Sequence, residues 1–178
     1  MGLFQHPDAR RPTAAHMNDV ARFLAIEEIK QLKARYMRSL DVKDWNLLRS
    51  ALADDVELDY RGAASDTVSG FNALPDTSSS VLRGADHAVR LIAGMIANVT
   101  TVHYALLPEI EIKSEEKASG IWAMMDILRF PDGSNVRELI GYGHYHEEYE
   151  RDARGWRIKS LRLSRLRTDM KYRNQAGV

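Results

Sequence analysis

The chain has 178 residues, 44% of them hydrophobic and 28% charged, with no net charge and a pI near 7.0. That size and apolar content predict one domain with a full core, and the even charge gives no electrostatic basis for nucleic acid or membrane partners. The lack of cysteine excludes disulfides, thiolate metal sites and cysteine nucleophiles; with no apolar run near the ~20 residues of a membrane helix and no signal-peptide core, a cytoplasmic protein is expected.

Residues 1–18 are polar, carry Pro7 and Pro12 and show no periodicity, so they read as a flexible leader. From Asp19, the apolar positions Val20, Phe23, Leu24, Ile26, Ile29, Leu32, Tyr36 and Leu40 recur at helical spacing. Asp44 reads as the N-cap of a short second helix with Trp45, Leu48 and Leu52 on one face. Val56 to Tyr60 alternates as a strand does. Residues 61–80 hold Gly62, Gly70, Pro75 and three consecutive serines, which predicts a long loop with Phe71 and Leu74 inside it. Loops of that length are often lids or insertions.

An amphipathic helix follows, with Ala88, Val89, Ile92, Met95, Ile96 and Val99 on one stripe. The period then changes to two over 101–112, 118–130, 136–151 and 156–167, with turns at Pro131-Asp-Gly133 and Asp152-Ala-Arg-Gly155. In the last strand the phase shifts at Ser160/Leu161, as a bulge would cause, leaving Leu161, Leu163 and Arg165 on one face. Helices followed by an antiparallel sheet predict an α+β domain over 19–170, with a tail over 171–178. The strand 120–130 is apolar on both faces, whereas an antiparallel strand facing water should alternate. Its second face therefore predicts a homodimer or homotrimer. There is no internal repeat and no nucleotide-binding glycine motif.

Several residues stand out chemically, each with a bland alternative. His103 lies in a short strand-like segment; imidazole titrates near pH 6.5 and can take and return a proton, or the ring is a core histidine bonded to backbone. Asp41 ends the first helix and either caps the second or, since Asp44 is better placed for capping, orients an imidazole. Tyr36 sits on the apolar stripe, where its hydroxyl needs a partner. Asp126 shares strand parity with Trp122, Met124, Leu128 and Phe130. A carboxylate there costs several kcal/mol unless it is paired or lines a pocket, and Arg165 is its natural partner. Met124 and Met125 read as core or pocket wall. His144 and His146 share a face with Tyr142 and Glu148; they resemble half a metal site without an assured third ligand, so no metal is expected. The basic run Arg162, Arg165, Arg167, Lys171 and Arg173 reads as a solvated or interface face.

The helical block RYMRSLDVKDW followed by LADDV, the TTVHY segment at 100–104, GYGHYHEEY at 141–149 and the closing strand GWRIKSLRL resemble the nuclear transport factor 2-like superfamily. Within it they resemble the SnoaL-like branch that holds scytalone dehydratase and bile acid 7α-dehydratase. The resemblance implies a cone-shaped α+β barrel, its N-terminal helices packed on a curved, mainly antiparallel sheet around one pocket. It also implies a pocket with a Tyr and an Asp five residues apart, a His, an Asp on the following strand and a C-terminal Arg. Tyr36, Asp41, His103, Asp126 and Arg165 match that order. Catalysis is then expected from His103, Asp41 and Tyr36, and ligand contact from Asp126, Arg165, His144, Trp122, Met124 and Tyr60. The expected function is a cofactor-independent dehydratase-type lyase, or an isomerase, acting on a small apolar ring compound, steroid-like or polyketide-like. A non-catalytic binding protein and the small subunit of a ring-hydroxylating dioxygenase are the alternatives.

Overall fold

The computed structural model describes residues 17–63 and 80–173. Most of the expected leader, the loop residues Phe71 and Leu74, and the end of the tail lie outside these. Helix α1 spans Asp19–Val42 and opens on Asn18, whose side chain accepts from the Ala21 N–H at 2.8 Å. It stops at Lys43, which takes the left-handed conformation, φ 61°, where glycine is the usual residue. Asp44 then caps α2 (Trp45–Ala51), its carboxylate accepting from the Leu47 N–H at 2.9 Å. Strand β1 (Leu52–Asp59), the short β2 (Val81–Arg83) and helix α3 (Ala85–Ile96) follow. The long strands β3 (Thr100–Ile112), β4 (Lys117–Arg129), β5 (Val136–Asp152) and β6 (Gly155–Tyr172) complete the domain.

The strands form one six-stranded sheet in the order β2-β1-β6-β5-β4-β3. All its pairs are antiparallel except β1 with β6. The architecture is the expected α+β arrangement of helices on a curved, mainly antiparallel sheet. It is an open sheet with edges at β2 and β3, not a closed barrel. Its core joins Ile29, Leu32, Tyr36 and Leu40 of α1 to Trp122, Met124, Tyr145, Tyr149, Ile158 and Leu161 of the sheet. The β5–β6 and β1–β6 registers both shift beside Lys159, so Ile158 and Leu161 both face the core.

Some local expectations change. Leu52 begins β1 and is fully buried, so it does not belong to the face of α2. Strand β2 is too short to carry a period. Val20, Phe23 and Leu24 are on the exposed side of α1, at 68%, 65% and 54% exposure. In α3 the buried stripe is Ala85, Ala88 and Ile92, whereas Met95 is exposed. The last strand runs on to Tyr172, through the start of the expected tail. Among the described residues no helix is long and apolar enough to cross a membrane.

Candidate active site

The end of α1 delivers Asp41 to the first residues of β3. Asp41 Oδ1 lies 2.6 Å from His103 Nδ1 and accepts from Thr101 Oγ1 at 3.0 Å, while Oδ2 accepts from the His103 backbone N–H at 3.0 Å. Lys43 Nζ donates to Thr101 Oγ1 at 2.9 Å. Because Asp44 caps α2, the Asp41 carboxylate is spent on this histidine. Burial pushes its pKa up, but the bonds from the His103 ring, the His103 backbone and Thr101 outweigh it and hold the carboxyl below its usual value. An ionised Asp41 can only accept, so Nδ1 carries a proton, and in the neutral imidazole the lone pair is then on Nε2. Nε2 has no hydrogen-bond partner among the described residues. The His103 side chain is 10% exposed and that of Asp41 25%, so the pair is shielded yet reachable. A cavity of about 230 Å³ adjoins it, lined among others by Lys33, Met37, His103, Ala105 and Trp122.

Tyr36 is fully buried, and its hydroxyl lies 3.0 Å from that of Tyr60. Burial pushes the Tyr60 phenol up to about 12 and those of Tyr36 and Tyr145 well above their usual value. At neutral pH these phenols keep their protons and can donate them. Beneath them lies a buried network that the sequence reading passed over. Lys33 pairs with Glu147, and its ammonium sits 3.7 Å from the centroid of the Tyr145 ring and 4.9 Å from that of Tyr36. Burial lowers the Lys33 pKa, against the opposing pull of Glu147. Glu147 also accepts from the Tyr149 hydroxyl, which in turn accepts from Trp122 Nε1 at 2.8 Å. Two signals were available. Lys33 falls on the α1 stripe between Ile29 and Tyr36, and Glu147 shares strand parity with Tyr145 and Tyr149.

Asp126 and Arg165 form a bidentate pair, Nη1 to Oδ1 at 2.9 Å and Nη2 to Oδ2 at 2.7 Å, with both side chains buried. Arg165 Nε donates to the Ala63 carbonyl at 2.9 Å, and Nη1 approaches Met124 Sδ at 3.4 Å. Gly141 makes room for the pair, since a Cβ there would overlap both the guanidinium and the carboxylate. Asp126 stands directly opposite His103 in the β3–β4 register. This fits the alternative of an internal Asp–Arg pair and leaves Asp126 engaged. His144 is placed elsewhere. Tyr145, Glu147 and Tyr149 take the core side of β5, so His144 and His146 fall on the opposite face of the sheet. There His146 Nε2 lies 3.0 Å from Ser164 Oγ. The expected ligand contact from His144 is therefore corrected. No group of three or more metal-ligating residues occurs among the described residues.

The family profile described as SnoaL-like domain matches residues 21–162. Among solved structures, a scytalone dehydratase-like protein of Novosphingobium aromaticivorans is 18% identical with a TM-score of 0.71, covering 88% of this chain and 94% of its own. The Kfla4162 protein of Kribbella flavida is 19% identical with a TM-score of 0.69, covering 83% and 95%. A hexachlorocyclohexane dehydrochlorinase from Novosphingobium barchaimii LL02 is 20% identical with a TM-score of 0.66, covering 90% and 97%. At these identities the likeness is one of fold.

Proposed function

The chain belongs to the SnoaL-like domain family, and from that premise we propose that it is a cofactor-independent lyase or isomerase acting by proton transfer on a small apolar ring compound. The observation that carries this reading is the Asp41–His103 pair, whose Nδ1 is held by a carboxylate while Nε2 stays unbonded among the described residues. His103 Nε2 would take a proton from carbon next to a carbonyl. The C–H electrons then form the new double bond, and a leaving group on the neighbouring carbon departs with its own bonding pair. Asp41 would hold the resulting imidazolium. Tyr36, with Tyr60 behind it, would donate a hydrogen bond to the carbonyl or to the departing hydroxide. Trp122 would wall the pocket, and the internally satisfied Asp126–Arg165 pair, with Met124 against it, would hold β4 in place opposite His103. A general base of this kind typically contributes about 10²–10⁴-fold. Two of the similar folds bear names of eliminating enzymes, a dehydratase and a dehydrochlorinase, which favours elimination by analogy. The test is a panel of cyclic β-hydroxy ketones incubated with the protein in EDTA, with loss of water followed by mass spectrometry. Binding of several members without conversion of any would favour a binding protein instead.

The second half of the reading is a homo-oligomer built through the outer face of the sheet. Val102, Tyr104, Leu106, Ile121 and Leu166 are exposed there at 37–51%. Glu109 and Glu111 lie at one end of this band and Arg129 at the other. A second copy related by a two-fold axis would cover the apolar band and bring each acidic end to a basic one.

A further inference from the structure

Lys33, Glu147 and Tyr149 are buried polar groups with no part in the proton transfer proposed above. They join Trp122 in one unbroken chain. Lys33 donates to one oxygen of Glu147, the Tyr149 hydroxyl donates to the other, and Trp122 Nε1 donates to Tyr149 at 2.8 Å. The two ends of this chain, Lys33 and Trp122, line the same cavity as His103. An indole has one polar atom, its N–H, and here that atom is engaged away from any ligand. The lysine ammonium is engaged too, with Glu147 and over the Tyr145 ring, so its stem is what it can offer the cavity. The wall therefore presents carbon, although two of its residues carry polar tips. Backbone geometry serves the same end. Gly120 pairs with Glu147 across β4 and β5. A Cβ there would meet the Tyr149 ring at 3.2 Å, its hydroxyl at 3.3 Å and Trp122 Nε1 at 3.4 Å.

We infer that Lys33, Glu147 and Tyr149 are positioning residues that lock the Trp122 indole as a flat apolar wall beside His103, making the site selective for planar ring systems over puckered ones. The inference rests on the pocket proposed above as the substrate site, and adds the shape of the part of the substrate that sits there. Trp122 is 4% exposed, so a flat ring can lie against the part of the fixed indole that borders the cavity, whereas a saturated ring touches it at a few hydrogens. Aromatic pairs are worth roughly threefold to tenfold in affinity beyond buried area.

The test uses two alcohols with the same fused carbon skeleton, 2-naphthol and decahydro-2-naphthol, titrated against the full-length protein by calorimetry. Wild type should bind the flat alcohol about threefold to tenfold more tightly. Tyr149→Phe, which keeps the ring and removes the hydroxyl, should bring the preference close to one. It should also speed solvent exchange of the Trp122 indole N–H in ¹H–¹⁵N spectra. Gly120→Ala reaches the same chain from the backbone and should erode the preference likewise. In a Trp122→Phe background, where there is no N–H to hold, Tyr149→Phe should change nothing further; a merely structural Tyr149 would act equally in both backgrounds. An unchanged preference in both Tyr149→Phe and Gly120→Ala would overturn the inference, as would equal binding of the two alcohols by wild type. Failure of wild type to bind either would remove the pocket reading as well. Selective binding of flat rings with no turnover of any would overturn the lyase reading and leave this one standing.

Discussion

Asp41 has two oxygens and three donors, and what those donors do to its ionisation is open to measurement. The folded pKa of its carboxyl lies below the ordinary 3.8. A depressed acid contributes stability that is present in full above its unfolded pKa and is lost as pH falls through the folded value. The difference in melting temperature between wild type and Asp41→Asn should therefore shrink as pH falls below about 4. A difference that did not shrink there would contradict the assignment of a stabilised carboxylate. Activity should report the same residue. Asp41→Asn should lower kcat on the order of 10²-fold or more, because the amide loses the charge that holds the imidazolium and can turn an N–H donor towards Nδ1, favouring the wrong tautomer. Tyr36→Phe should cost less, since it removes one hydroxyl from a pair and keeps the packing. An equal loss in both variants, measured under saturating substrate, would argue against His103 as the sole base.

The strands carry predictions of a different kind. Arg165 and Asp126 hang from β6 and β4 and satisfy each other in the interior. Arg165→Met should cost about 3–5 kcal/mol in chemical denaturation, because it leaves a buried carboxylate alone. Adding Asp126→Leu should restore much of that loss, and a double variant as unstable as the single one would contradict the pairing. The phenols of Tyr36, Tyr145 and Tyr149, which are buried, and of the partly buried Tyr60 come from α1, β5 and the residue after β1, and all have raised pKa values. A raised folded pKa gives stability present below the unfolded value near 10 and lost as pH rises through the folded one. Their phenolate absorbance should thus appear together with loss of helical circular dichroism, and phenolates forming in a still-folded protein would refute it. Much of this was readable in the sequence. Helical spacing located α1 and α3, alternation located the four long strands, and the misplaced charge at Asp126 named its own partner. Lys33 and Glu147 were missed because each looks ordinary alone. A lysine on an apolar stripe reads as one whose head reaches solvent, and a glutamate beside another glutamate in a strand reads as part of a solvated edge. Only the packing of α1 across the inner face of the sheet makes them a pair. The same packing decides which face of β5 is inward, which is why His144 was assigned to the wrong side.

At the scale of the whole molecule, the open sheet leaves its apolar outer band uncovered. Sedimentation at micromolar concentration should show a dimer or trimer, and Tyr104→Glu with Leu106→Glu should shift it towards monomer. A wild-type monomer would mean that the band serves something other than self-association. The architecture otherwise gathers one task at one end of α1, where a helix terminus, a strand start and a small cavity bring Asp41 and His103 together. The most direct test is the turnover of His103→Ala on whichever ring compound the wild type converts in EDTA, with folding checked by circular dichroism. Proton abstraction by Nε2 predicts a loss of kcat of at least about 10²-fold in a protein that remains folded. Turnover close to wild type would contradict it.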